Sequence, residues 1–134
     1  MDDQRMKHLE FIQNVITRMN TNSFQLKGWS VTIVSALLAL CASTKNWRFA
    51  LAGIPAVAIF WLLDGYYLQQ ERRYRGLYRD ATAPDSSIEL FDMDASRYKG
   101  GNFSYQSVLG SQTIWTLYCG LLAVLVAVMA YALA

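Results

Sequence analysis

The sequence predicts an all-α integral membrane protein with three transmembrane helices, an N-terminal amphipathic helix and a second span extended into a cytoplasmic helix. Two observations carry this. Apolar residues, 54% of 134, are gathered into blocks rather than spread along amphipathic elements. Three blocks are about 20 residues long, enough helix at about 1.5 Å per residue to cross a hydrocarbon layer of about 30 Å. Phe24 to Ser43 contains one charge, Lys27; Phe49 to Leu68 contains one, Asp64; Thr113 to Ala134 contains none. Backbone groups in lipid must satisfy one another, so such blocks are read as helices. A soluble three-helix bundle would leave the uncharged last block without a wetted face.

Residues 1–22 read as the amphipathic cytoplasmic helix. Met6, Leu9, Ile12, Ile16 and Met19 fall on one face, with Phe11 and Val15 beside it. That face predicts a helix lying on the inner leaflet or against the bundle, the alternative being a partner-binding surface. Asn20-Thr21-Asn22-Ser23 predicts a break, with Ser23 capping the first span. The preceding polar stretch is long for the n-region of a cleaved signal peptide. Ala39-Leu40-Cys41-Ala42 matches a lipoprotein cleavage box only loosely.

Residues 23–80 read as a transmembrane hairpin with a helical extension. The connection Ser43 to Arg48 is short, Pro55 predicts a kink, and no helix stop follows Leu68, so one rod is expected from Phe49 to Arg79. Residues 81–112 read as a cytoplasmic loop or cap. Ala83-Pro84-Asp85-Ser86 is a turn, Gly100-Gly101-Asn102 a breaker, and a short helix is expected near Tyr105 to Leu109. Residues 113–134 read as the third span. Of the Lys and Arg residues, ten precede span one, lie at its start or follow span two, against Lys45 and Arg48 alone between spans one and two. The positive-inside rule then places the N-terminus and cap in the cytoplasm and the C-terminus outside.

Three features are candidates for function. Gly28, Thr32, Ser35, Ala39 and Ala42 on span one, and Gly120, Ala123, Ala127, Ala130 and Ala134 on span three, form small-residue seams with a period near 3.5. Such seams let helix backbones approach in lipid, either within one chain or between copies. Asp64 is an intramembrane carboxylate, read either as the partner of Lys27 or the Trp29 indole N–H, or as a pore-lining or proton-linked group. Arg72, Arg75 and Arg79 share one face of the extended helix, while Tyr67, Tyr74 and Tyr78 form another. They read as an anionic-lipid contact, or as a phosphate site with tyrosines to stack on a base.

No catalytic set is recognisable. His8 is expected on the polar side of the first helix, and no phosphate loop or metal-ligand spacing occurs. Cys41 and Cys119 read as small apolar residues. The sequence therefore points away from an enzyme and implies no metal or cofactor.

The order of parts, with Asp64-Gly65-Tyr66-Tyr67 leading to Arg72-Arg73-Tyr74-Arg75, resembles the small two- and multi-span membrane effectors encoded in bacterial anti-phage islands, including those associated with nucleotide-sensing domains. The resemblance covers roughly residues 5 to 80 and is architectural; the third span and its loop depart from a two-span effector. It implies a non-enzymatic, self-assembling protein of the bacterial inner membrane that permeabilises the bilayer. Its partners would be lipid and its own copies, with a cytoplasmic sensor protein or nucleotide as signal and no direct nucleic-acid polymer binding. The alternative is an accessory transmembrane subunit of a larger transporter, channel or enzyme complex.

Overall fold

The computed structural model describes residues 3–83 and 88–133, apart from the side chain of Asn102. The described chain is helical with no strand, in the order α1 (Asp3–Thr44), α2 (Arg48–Thr82), a 3-10 turn (Gly101–Phe103), α3 (Tyr105–Leu109) and α4 (Gln112–Leu133). Three of these helices, α1, α2 and α4, are long and apolar enough to span a membrane.

Helix α1 is one uninterrupted element of 42 residues, about 63 Å of rod. The break expected at Asn20-Thr21-Asn22-Ser23 is absent. Its cause is tertiary: α1 packs antiparallel along α2, and residues with helix penalties of only a few tenths of a kcal/mol are carried through. Ser23 is buried and turned toward α2, so it caps nothing.

The hairpin closes on Lys45, whose φ of 56° is the left-handed conformation that ends a helix, and on Asn46, whose side chain accepts from the Arg48 N–H. Helix α2 then runs 35 residues, through Pro55 and into the charged stretch as the sequence predicts. Helix α4 leans mainly on α2 and meets α1 less. At that crossing a Cβ on Gly53 would sit 2.8 Å from Leu125 Cδ2.

Two apolar clusters divide the molecule lengthwise. One joins Val34, Cys41, Ala50, Val57, Val108, Ile114, Tyr118 and Leu125, where α1, α2, α3 and α4 meet. The other joins Leu9, Ile12 and Ile16 of α1 to Leu77 and Ala81 of α2 and to Ile88, Ala95 and Tyr98. The amphipathic face of the N-terminal segment is thus used inside the chain. Residues 88–104 form a cap over the paired ends of α1 and α2, and α3 lies where the sequence predicts a short helix. The turn expected at 83–86 falls mostly outside the described residues.

His8 is fully buried, not on a polar face. Its Nε2 lies 2.8 Å from the Asp92 carbonyl oxygen, and the Phe91 ring tilts against it. Phe91 holds a φ of 61°, a strained conformation for an aromatic residue, offset by its contacts with His8 and Phe11.

Candidate functional site

Between the two apolar clusters lies a buried polar node. Asp64 is 0% exposed, and three side chains donate to its carboxylate. The Ser23 hydroxyl donates to Oδ1. Lys27 Nζ donates to Oδ2 at 2.6 Å, and the Tyr118 hydroxyl donates to the same oxygen at 2.9 Å. Lys27 also reaches Ser23 Oγ at 2.9 Å, and its side chain keeps 25% exposure. Ser23 and Lys27 are neighbours on α1 because residues four apart share a helix face. Asp64 comes from α2 and Tyr118 from α4, so one carboxylate joins all three long helices.

A charge buried this deeply is tolerated only when it is paired and its lone pairs are satisfied. Here both conditions hold. Of the two partners expected from sequence, Lys27 is present and Trp29, 56% exposed, is not. Ser23 and Tyr118 were not anticipated as partners. Tyr118 did carry a signal: a phenol inside an otherwise apolar helix needs an acceptor. Itself fully buried and saturated with donors, Asp64 is arranged as a clamp, while Ser23 and Lys27 beside it line an open cavity of about 280 Å³ with Phe24, Leu68 and Glu71.

The segment leading into α4 is fixed to α2 close to Asp64. Trp61 Nε1 donates to the Leu109 carbonyl at 3.3 Å, and the Tyr105 hydroxyl donates to the Leu62 carbonyl at 2.6 Å. Gly65 makes room for this contact: a Cβ there would lie 2.5 Å from Leu109 Cδ2. The close approach within the chain therefore runs through glycines of α2, while the two small-residue seams are not used. Gly28, Thr32, Ser35, Ala39 and Ala42 are all exposed on α1, and Gly120, Ala123, Ala127 and Ala130 are all exposed on α4. A Cβ on Gly28 or Gly120 would meet nothing within 4 Å. Ala134 lies outside the described residues.

Farther along α2 the arginines form a groove. Arg72, Arg75 and Arg79 line an open cleft of about 470 Å³ with Gly76 and Phe103. Arg75 grips Glu71 Oε1 through Nη2 at 2.8 Å and Nε at 3.3 Å while its side chain stays 62% exposed. Tyr74 and Tyr78 do not join them. Both pack against the cluster around Ile12 and Leu77 instead. The aromatic ring that does border the arginines is Phe103, held by Gln69 Nε2 donating to its carbonyl at 3.0 Å. Sequence reasoning missed it because it comes from the far side of the cap.

The cap has its own polar ties. Tyr98 donates to Asp80 Oδ2 at 2.5 Å, and burial followed by that bond pushes the Tyr98 phenol up to about 12. Asp92 accepts from the Asp94 N–H and the Arg97 guanidinium, and in that order they hold its carboxyl below the usual value. Cys41 and Cys119 are both free thiols. Among the described residues no cluster of His, Cys, Asp or Glu has metal-binding geometry.

Comparisons with protein-family models, curated proteins and solved structures give no match.

Proposed function

We propose that this chain is a multi-pass membrane protein that works by assembling with copies of itself, its N-terminus and cap in the cytoplasm and its C-terminus outside. The observation that carries the reading is the exposure of both small-residue seams. In lipid, helix association is driven by close packing and hydrogen bonds, since apolar side chains gain nothing by leaving the tails. A chain that meets its own packing needs through Gly53 and Gly65 leaves the faces of α1 and α4 available for other helices. The membrane placement is supported by the apolar girdle around these helices, including Phe24, Trp29, Ile33, Leu51, Ile59, Leu62, Trp115 and Val126, all exposed. An aqueous surface of that kind would exceed the patch sizes soluble monomers tolerate.

The activity assigned to the assembly is permeabilisation of a bacterial inner membrane, triggered through the cytoplasmic cap. A conduit would form between copies, because the intramembrane carboxylate Asp64 is already paired within its own chain. The test is dye release from liposomes by the purified chain, alongside Ala123→Leu/Ala127→Leu, which fills the α4 seam. Release by the native chain and loss of both release and oligomer in the variant support the proposal. An intact, monodisperse chain that stays silent and co-purifies with a different membrane protein would instead assign it as an accessory subunit.

A further inference from the structure

We infer that the groove of Arg72, Arg75, Arg79 and Phe103 is a binding site for a phosphate ester. The inference rests on the placement of α2 in the membrane and is independent of self-assembly. The three guanidiniums fall at i, i+3 and i+7, one face of a continuous helix, and span about 10 Å along its axis. Guanidinium forks suit phosphate oxygens because they donate two parallel bonds to one group. The carboxylates on the neighbouring turns are already engaged. Glu71 is held by Arg75 through one oxygen, and Asp80 accepts from Tyr98 on the cap. From Glu71 to Asp80 the helix carries four arginines, Arg72, Arg73, Arg75 and Arg79, against those two carboxylates, so this stretch keeps an excess of positive charge with Arg75 paired to Glu71.

Its second wall selects within the class of phosphates. Gly76 lets the cap press onto α2, since a Cβ there would lie 3.1 Å from both Phe103 Cζ and Tyr98 Cδ1. Phe103 thus presents an apolar flank beside the arginines, suited to the organic part of an ester rather than to a bare ion. Arg72 lies eight residues beyond Asp64, about 12 Å along the helix, which puts the Arg72 end of the groove at headgroup depth when the apolar part of α2 crosses the bilayer. Two sources supply that chemistry, an anionic phospholipid headgroup or a soluble nucleotide.

The experiment uses the full chain in two arms. In the first, it is reconstituted in phosphatidylcholine nanodiscs with and without phosphatidylglycerol, and retained lipid is read by native mass spectrometry. In the second, adenosine triphosphate is titrated into phosphatidylcholine nanodiscs. Each of Arg72→Gln, Arg75→Gln and Arg79→Gln should weaken binding about tenfold, the ratio a lost charge-assisted bond carries. Arg18→Gln/Lys45→Gln/Arg48→Gln removes as many charges as all three together but away from the groove, and should bind like the native chain. Preference for phosphatidylglycerol alone identifies a headgroup, and response to adenosine triphosphate alone identifies a soluble ester. Response to both supports the shared chemistry. Binding in neither arm, or equal weakening in the control variant, overturns the site. Single substitutions on an exposed groove keep the fold, and retention of helical circular dichroism verifies this. A monomeric chain that still binds would sink self-assembly and leave this site standing.

Discussion

At the residue scale, the three long helices are tied together by Asp64 and its three donors. Replacing Lys27 by Met leaves a fully buried carboxylate without its cation, and such losses cost about 3–5 kcal/mol. The double variant Lys27→Met/Asp64→Leu removes the charge that needed pairing, so it should be more stable than Lys27→Met alone. Unfolding in a denaturing detergent series measures both; a double variant worse than the single would contradict the clamp. Ser23 offers a sharper discrimination. A helix cap accepts Asp as readily as Ser, so Ser23→Asp would be harmless at a cap. Facing Asp64, it places a second carboxylate in the node and should strongly lower the folded fraction. The cap has a pH signature of its own. Asp92 has a folded-state value below the ordinary 3.8, so its contribution is present above that value and fades as the pH falls through the lowered one. Tyr98 is raised, so its contribution is present below its ordinary value of 10 and is lost as the pH rises toward about 12. Amide protection across 92–98, taken relative to the intrinsic exchange rate at each pH, should therefore hold through neutral pH and fall at both extremes. A loosening centred near neutrality would contradict these ties.

At the scale of elements, the sequence was most informative where the signal was long. Twenty-residue apolar blocks and a charged continuation without a stop were enough to define α2 and α4 and the run of α2 past the apolar segment. The short helix at Tyr105–Leu109 was legible from the Gly breaker before it and the apolar residues within it. The break at Asn20–Ser23 misled because local propensity there is worth tenths of a kcal/mol, whereas packing along the full length of α2 acts on every turn. Asn20→Ala should thus leave stability unchanged or raise it by about 0.5 kcal/mol, as expected for an exposed position inside a helix. The candidate site was legible by halves. Lys27 and Asp64 stand out as the lone charges in their blocks. Tyr118 and Phe103 lie 54 and 34 residues from their partners Asp64 and Gln69, and only the tertiary arrangement brings them in. Tyr74 and Tyr78 read from sequence as partners of the arginines from a neighbouring face of the helix, and the packed chain commits them to the apolar cluster around Ile12 and Leu77.

At the scale of the whole molecule, polarity is layered along the long axis: an apolar bundle, a charged clamp, then a second apolar cluster beneath the cap. The clamp fixes the order of α1, α2 and α4 within a chain, so the outer faces of α1 and α4 are presented as rigid surfaces. Gly65→Leu should separate α3 from α2, since Leu109 already occupies that space, and disturb the start of α4. Ala123→Leu/Ala127→Leu should instead leave the single chain about as stable as before, because both positions are exposed, and act only on association. The contrast between these variants separates folding from assembly. The most direct test of the central claim is the mass of the native chain expressed alone and held in a nanodisc, read by native mass spectrometry. Self-assembly through the exposed seams predicts a discrete homo-oligomer that Ala123→Leu/Ala127→Leu reduces. A uniform monomer, unchanged by that substitution, would contradict it.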